Sequence, residues 1–212
     1  MTESATAIIS TEDAKQSLGL RESVSRANAN VAAIERIVAA ISGRIDDLCG
    51  PVVARTVTEL HNGGCVGIRP RKTPVLAVTT LKEYIGTTPT TLTAETNASK
   101  PANAYLIDRD QDDSKVVTIL RRSSGSDGTY ASGRRNVELV YSAGRYADTA
   151  SVDEKFKEAA RSILRRFWAR EAVAWSRGGA VLDDTALSVG FFKAVDPMVN
   201  ELLGDEISIG AA

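Results

Sequence analysis

The sequence predicts an α+β architecture: a helical core of about four helices, two of them long and antiparallel, with a small antiparallel β-domain inserted and an extended C-terminal tail. Three observations carry this. Val31, Ile34, Val38, Ile41, Ile45 and Leu48 recur at alternating steps of three and four, which places them on one face of a helix that needs a packing partner. From Val52 to about Ala143 the period changes to short runs rich in Val, Ile, Thr and Tyr, broken by Gly, Pro, Asn, Asp and Ser; these are strand and turn signals. Phe156, Ala160, Ile163 and Phe167 then restore the helical spacing.

Each element has its own start and stop. Ser10 precedes Thr11-Glu12-Asp13, an N-cap followed by acids that favour the positive end of the helix dipole. This first short helix runs to about Leu18, and Gly19 suits the left-handed position after it. The long helix spans about Val24 to Leu48, roughly 37 Å at 1.5 Å per residue, and Cys49-Gly50-Pro51 ends it because proline lacks the next donor. Strands are expected at Arg55–Glu59, Val75–Tyr84, Thr90–Ala94, Ala104–Asp108, Val116–Leu120 and Val137–Tyr141, enough for a small antiparallel sandwich or barrel. Ser151-Val152-Asp153-Glu154 reads as a capping box for the second long helix, which Gly178-Gly179 terminates. A short helix with proline at its first position is expected from Pro197 to Leu203. The division is therefore 1–51 for the first part of the core, 52–144 for the β-domain, 145–178 for the long helix and 179–212 for an acidic docking arm.

Composition excludes several functions. Twenty-six Lys+Arg against 27 Asp+Glu leave a net charge of −1, unlike the strongly basic footprint of a dedicated nucleic-acid binder. Two cysteines imply no disulfide framework, and no run approaches the eighteen or so apolar residues of a membrane span. The N-terminal stretch lacks a secretion signal, so a soluble cytosolic product is expected. His61 is the single histidine. It offers no paired metal-ligand spacing with Cys49 and Cys65 and no nucleophile elbow accompanies it, so it reads as part of a surface turn. Asp108-Arg109-Asp110-Gln111-Asp112 opens like a calcium loop, but Asp113 stands where glycine is needed and Ile119 where glutamate is needed. No phosphate-binding glycine loop is present. No catalytic residue, metal or cofactor is expected.

Partner-binding candidates remain. Residues 121–135 are Ser/Gly-rich and flanked by Arg121-Arg122 and Arg134-Arg135, which reads either as a mobile hairpin tip or as a flexible arm able to meet phosphate or an acidic protein surface. Arg161 and Arg165 belong to a basic outer face on the second long helix and are candidates for contacts between subunits. Trp168 and Trp175, one heptad apart, read as packing. In the arm, Phe191, Phe192, Leu202 and Leu203 accompany six acids and one lysine and are expected to be covered by another surface.

Four segments in order carry a family resemblance. They are Ile9 to Leu20, Ala40-Ile41-Ser42-Gly43-Arg44-Ile45-Asp46-Asp47-Leu48-Cys49-Gly50, Arg71-Lys72-Thr73-Pro74-Val75-Leu76-Ala77-Val78, and Val137-Glu138-Leu139-Val140-Tyr141-Ser142-Ala143-Gly144 with the helix that follows to about Glu171. Across about half the chain the sequence resembles the head–tail connector (adaptor or head-completion) proteins of tailed bacteriophages, in their long form with an inserted β-region. The long Ser/Gly/Arg loop and the acidic tail depart from the pattern. The resemblance implies a non-enzymatic virion protein at the head–tail junction, assembled in the host cytoplasm. It implies a ring of typically twelve copies between the portal protein and a stopper or tail-completion protein, with genomic DNA passing through its channel without sequence recognition. A stopper or tail-terminator is the alternative, and a small cytosolic enzyme or regulator a remote one.

Overall fold

The computed structural model describes residues 6–20, 24–109, 117–176, 197 and 201–204. The chain divides into two compact units, one made of Met1–Val53 with Tyr146–Ala212 and the other of Ala54–Arg145.

The first unit holds three helices. In α1 (Thr11–Ser17) the Ser10 Oγ accepts from the Asp13 N–H at 3.0 Å, satisfying a donor that the first helical turn leaves orphaned. Gly19, at φ 67°, closes the other end, where its N–H donates to Gln16 O and the Leu20 N–H reaches Lys15 O. The apolar stripe of α2 (Val24–Cys49) buries Ile34, Val38, Ile41 and Ile45. It shares one apolar cluster with Phe156, Ala160, Ile163 and Phe167 of α3 (Glu154–Ser176). Each Ile, Val or Phe side chain so withdrawn from water contributes about 1.5–3 kcal/mol. Ala7, Ile8 and Ile9 enter the same cluster, and the Ile8 N–H is satisfied by Ser42 Oγ at 3.0 Å.

The start of α3 differs from the expected capping box. Asp153 caps the helix, its Oδ1 accepting from the Lys155 N–H at 3.1 Å. Ser151 turns back instead, donating its hydroxyl to Asp148 O at 2.9 Å and its N–H to Asp148 Oδ1 at 2.8 Å. An aspartate one position before the helix competes for the cap better than a serine two residues further out, because its carboxylate also meets the helix dipole.

The second unit is one mixed sheet. Its strands are β1 (Arg55–His61), β2 (Gly67–Ile68), β3 (Val75–Ile85), β4 (Thr88–Ala94), β5 (Ala104–Arg109), β6 (Val117–Ser123), β7 (Ser126–Asp127) and β8 (Val137–Ala143). They run in the order β1-β8-β3-β4-β5-β6-β2, with β7 paired to β6. β8 is the centre of one half. It pairs with β1 from Arg55↔Ala143 to His61↔Val137 and with β3 on its other side, and buries Val137, Leu139, Tyr141 and Ala143 at every second position. That alternation is the two-residue period of a strand with one covered face.

This architecture overturns the expected helical core carrying a small antiparallel β-domain. The fold is dominated by an eight-stranded sheet, and β4 pairs with β5 in parallel, Thr93↔Ala104 and Ala94↔Tyr105. Among the described residues there are three helices, and residues 197 and 201–203 are also helical, within the span expected for a short helix from Pro197 to Leu203. The reason is that helices announce themselves in local periodicity. β2 and β7 are two residues each, below any periodic signal, and the parallel pair depends on a chain reversal between residues 94 and 104 that no local pattern encodes.

Candidate functional site

The same alternation that buries the sheet's apolar residues carries charges inward. On β6, Val117 and Ile119 are buried, and the next inward position is Arg121; on β3, Leu81 is followed two residues later by Glu83. The two meet side-on, Arg121 Nη2 donating to Glu83 Oε1 at 2.9 Å and Nε to Oε2 at 3.4 Å. Arg121 also donates to Ala104 O and Asn103 Oδ1 at 3.3 and 3.1 Å. Glu83 Oε2 accepts from the Ala131 N–H at 3.1 Å. This buried pair is an internal fastener, not a docking group.

On β1 the inward series Val57, Glu59, His61 places a second carboxylate inside. Glu59 Oε1 accepts from Tyr141 Oη at 2.7 Å, Oε2 lies 2.8 Å from His61 Nε2, and both oxygens accept from the Arg71 N–H. Burial first, and then the hydrogen bond to Glu59, push the Tyr141 hydroxyl far above its ordinary range, so it stays a donor. The His61 side chain is 13% exposed, which replaces the expected surface turn with a paired position at the end of β1.

Above this cluster lies a cleft whose rim carries Arg71, Arg134 and Arg135, with Leu60 and Asn62 on its wall. Residues 131–136 are clamped onto residues 62–64. The Gly63 N–H is shared by Gly133 O and Asn136 Oδ1, both at 2.9 Å, and Asn136 Nδ2 donates to Ala131 O at 2.6 Å. Arg135 sits at φ 54°, a conformation unfavourable for a side chain bearing a Cβ, with its N–H donated to Asn62 Oδ1 at 2.9 Å. The guanidinium groups of Arg71, Arg134 and Arg135 are exposed and make no hydrogen bond or ion pair with the described residues.

The structure thus separates the sequence-predicted site residues. The segment 121–135 is a hairpin followed by a loop hydrogen-bonded to residues 62–64. Ser124 and Gly125, at φ 49° and 84°, turn β6 into β7, and Tyr130 is buried with its hydroxyl on Ile119 O at 3.1 Å. Arg121 is internal. Arg122 braces the hairpin through Glu95, at 3.2 Å, and Asp127. Lys100, at 2.7 Å, then Arg122 hold the Glu95 carboxyl below the usual carboxylate range. Of the four arginines of this segment, Arg134 and Arg135 reach a cleft, where they join Arg71 and the Glu59–His61 pair. Composition missed these three; continuing the alternation past Val57 would have pointed Glu59 and His61 inward.

In the first unit, Arg161 is tied to Glu154 and lies 3.6 Å from Glu158 and 3.8 Å from Asp13, so it links α3 to α1. Arg165 is half-exposed, 3.2 Å from Glu158. Both line a polar groove with Asp13, Gln16 and Ser17. Leu203 is 1% exposed within the helical unit's apolar cluster, whereas Leu202 is exposed. Phe191 and Phe192 lie outside the described residues, as do Asp110 to Asp113 of the calcium-like run and the Trp175 side chain. Among the described residues no group of three or more His, Cys, Asp or Glu is placed to hold a metal ion, and no helix is long and apolar enough to cross a membrane.

A scan against models of protein families finds no match to this chain, and no curated protein matches it. Among solved structures, a chain from the neck of an empty GTA particle, computed with C6 symmetry, is similar. It has a TM-score of 0.54 and 17% identity over 90% of this chain and 92% of that one. At that identity the likeness is one of fold, and it takes in both units.

Proposed function

We propose that this protein is a structural component of the neck of a phage or phage-like particle, acting as the head-to-tail adaptor. In this reading copies form a ring between the portal and the stopper or tail, and DNA passes through the ring's channel. The single observation that carries the reading is the fold likeness to a neck chain over nine-tenths of both molecules. One further feature supports it: the four sequence segments that resemble connector proteins fall in both units. Twelve copies, as that resemblance implies, are compatible with a particle treated in sixfold symmetry.

A stopper or tail-terminator is the second reading, and the eight-stranded sheet favours it. The two separate through electron microscopy of the particle neck. The adaptor reading expects this chain as a ring in contact with the portal. Density for it only beyond the first ring, or its absence from particles, would overturn that reading.

A further inference from the structure

We propose that the cleft rimmed by Arg71, Arg134 and Arg135 is a receptor for a carboxylate-rich protein segment, supplied by the acidic stretch 179–212 of a second copy of this chain. The second-copy part rests on the neck reading, which calls for adjacent copies.

Three facts about the cleft point to a ligand. Its three guanidinium groups have no partner among the described residues, whereas Arg121, Arg122, Arg161 and Arg165 are all paired. The loop presenting Arg134 and Arg135 is held rigid by Gly63, Asn62 and Asn136, with Arg135 at φ 54°. Backbone strain held in place by surrounding hydrogen bonds concentrates where geometry is used. Finally, Arg71 is positioned by the buried Glu59, which takes its N–H.

The chemistry selects a protein carboxylate over nucleic acid. Planar guanidinium forks match carboxylates two oxygens at a time. A nucleic-acid backbone needs a continued basic track, but here Glu59 lies within the cleft lining and the whole chain carries a net charge of −1. No exposed aromatic offers a stacking platform there; the wall instead carries Leu60, 37% exposed. The occupant should therefore mix acids with aliphatic residues. Leu182-Asp183-Asp184 and Asp205-Glu206-Ile207 have that composition, within a stretch holding six acids and one lysine.

The test uses full-length protein and a fluorescent peptide of residues 179–212, followed by anisotropy. The peptide should bind wild type, and the Arg71→Ala/Arg134→Ala/Arg135→Ala variant should bind it at least about tenfold more weakly, as should wild type with a peptide whose acids are amidated. Equal binding by both proteins, or none, overturns the cleft as receptor. So does a variant that loses affinity for a DNA oligonucleotide instead of the peptide. For the second copy, two charge-reversed full chains are compared by native mass, one with the three arginines changed to Glu and one with Asp183, Asp184, Asp205 and Glu206 changed to Lys. Each alone should fail to self-associate, and an equal mixture should recover assembly, because only unlike copies then pair attractively. Failure of the mixture, with wild type assembling, overturns the second-copy source. A wild type that stays monomeric while binding peptide through the cleft overturns that source and counts against the ring, but not against the receptor.

Discussion

Arg121 and Glu83, 38 positions apart in the chain, meet at 2.9 Å inside the sheet, and both side chains are more than nine-tenths buried. The pair joins β6 to β3 across two intervening strands and, through the Ala131 N–H, fixes the start of the loop that carries Arg134 and Arg135. Removing one partner leaves a buried charge without its counterion, which costs about 3–5 kcal/mol. Arg121→Ala should therefore lower the urea midpoint severely, while the Arg121→Met/Glu83→Gln double variant should recover much of the loss. Equal destabilisation of both variants would show that the pair is not the source. The same reasoning removes Arg121 from any test of partner binding, because its loss reports on folding.

Leu203 and Leu202 are neighbours with opposite surroundings, one buried in the helical unit and one exposed. Leu203→Ala should cost about 2–4 kcal/mol through lost burial and the void it leaves, and Leu202→Ala less than about 0.5 kcal/mol. Thermal unfolding of the two variants checks this. A truncation after Arg177 should also destabilise the helical unit, so loss of partner binding in such a protein would not by itself identify a docking arm.

At Gly63 a Cβ would stand 1.8 Å from the Ala131 carbonyl oxygen and 2.9 Å from its carbon. Backbone atoms cannot swing aside as a side-chain end can, so Gly63→Ala should displace residues 131–136 and cost about 1–3 kcal/mol. In the cleft it should weaken capture of the acidic peptide without altering any arginine. Retained affinity and stability would show that the clamp is dispensable.

Acid should loosen the β6–β7 hairpin. The hydrogen bond from Lys100, then that from Arg122, hold Glu95 in its charged form, so its folded pKa lies below its unfolded value. The unfolded chain then takes up the proton first as pH falls. The contribution is present in full above the ordinary glutamate value of about 4.3 and is lost as pH drops through the folded pKa. Asp148, held low chiefly by the Ser151 N–H, adds to the same slope. Glu95→Gln should be less stable than wild type near neutrality, with the gap closing as the pH falls through the folded pKa of Glu95. A gap that stays constant with pH would mean the ion pairs contribute nothing.

By itself the sequence determined what short-range physics controls. The Ser10 cap, the glycine stop at Gly19 and the stripes on α2 and α3 follow from dihedral preference and the 3.6-residue period, which act within a few residues. Six of the strands were legible for the same reason, since alternation and β-branching are local. Tertiary structure decided the rest. Whether Arg121 is a free arm or a buried counterion depends on where Glu83 lies, 38 positions away. The β2–β6 pairing, Gly67↔Leu120 and Ile68↔Ile119, and the meeting of Arg71 with Arg134 and Arg135 join segments far apart in the chain. Their stability comes from contacts made after long loops close, and no local spacing of residues records which loops close on which.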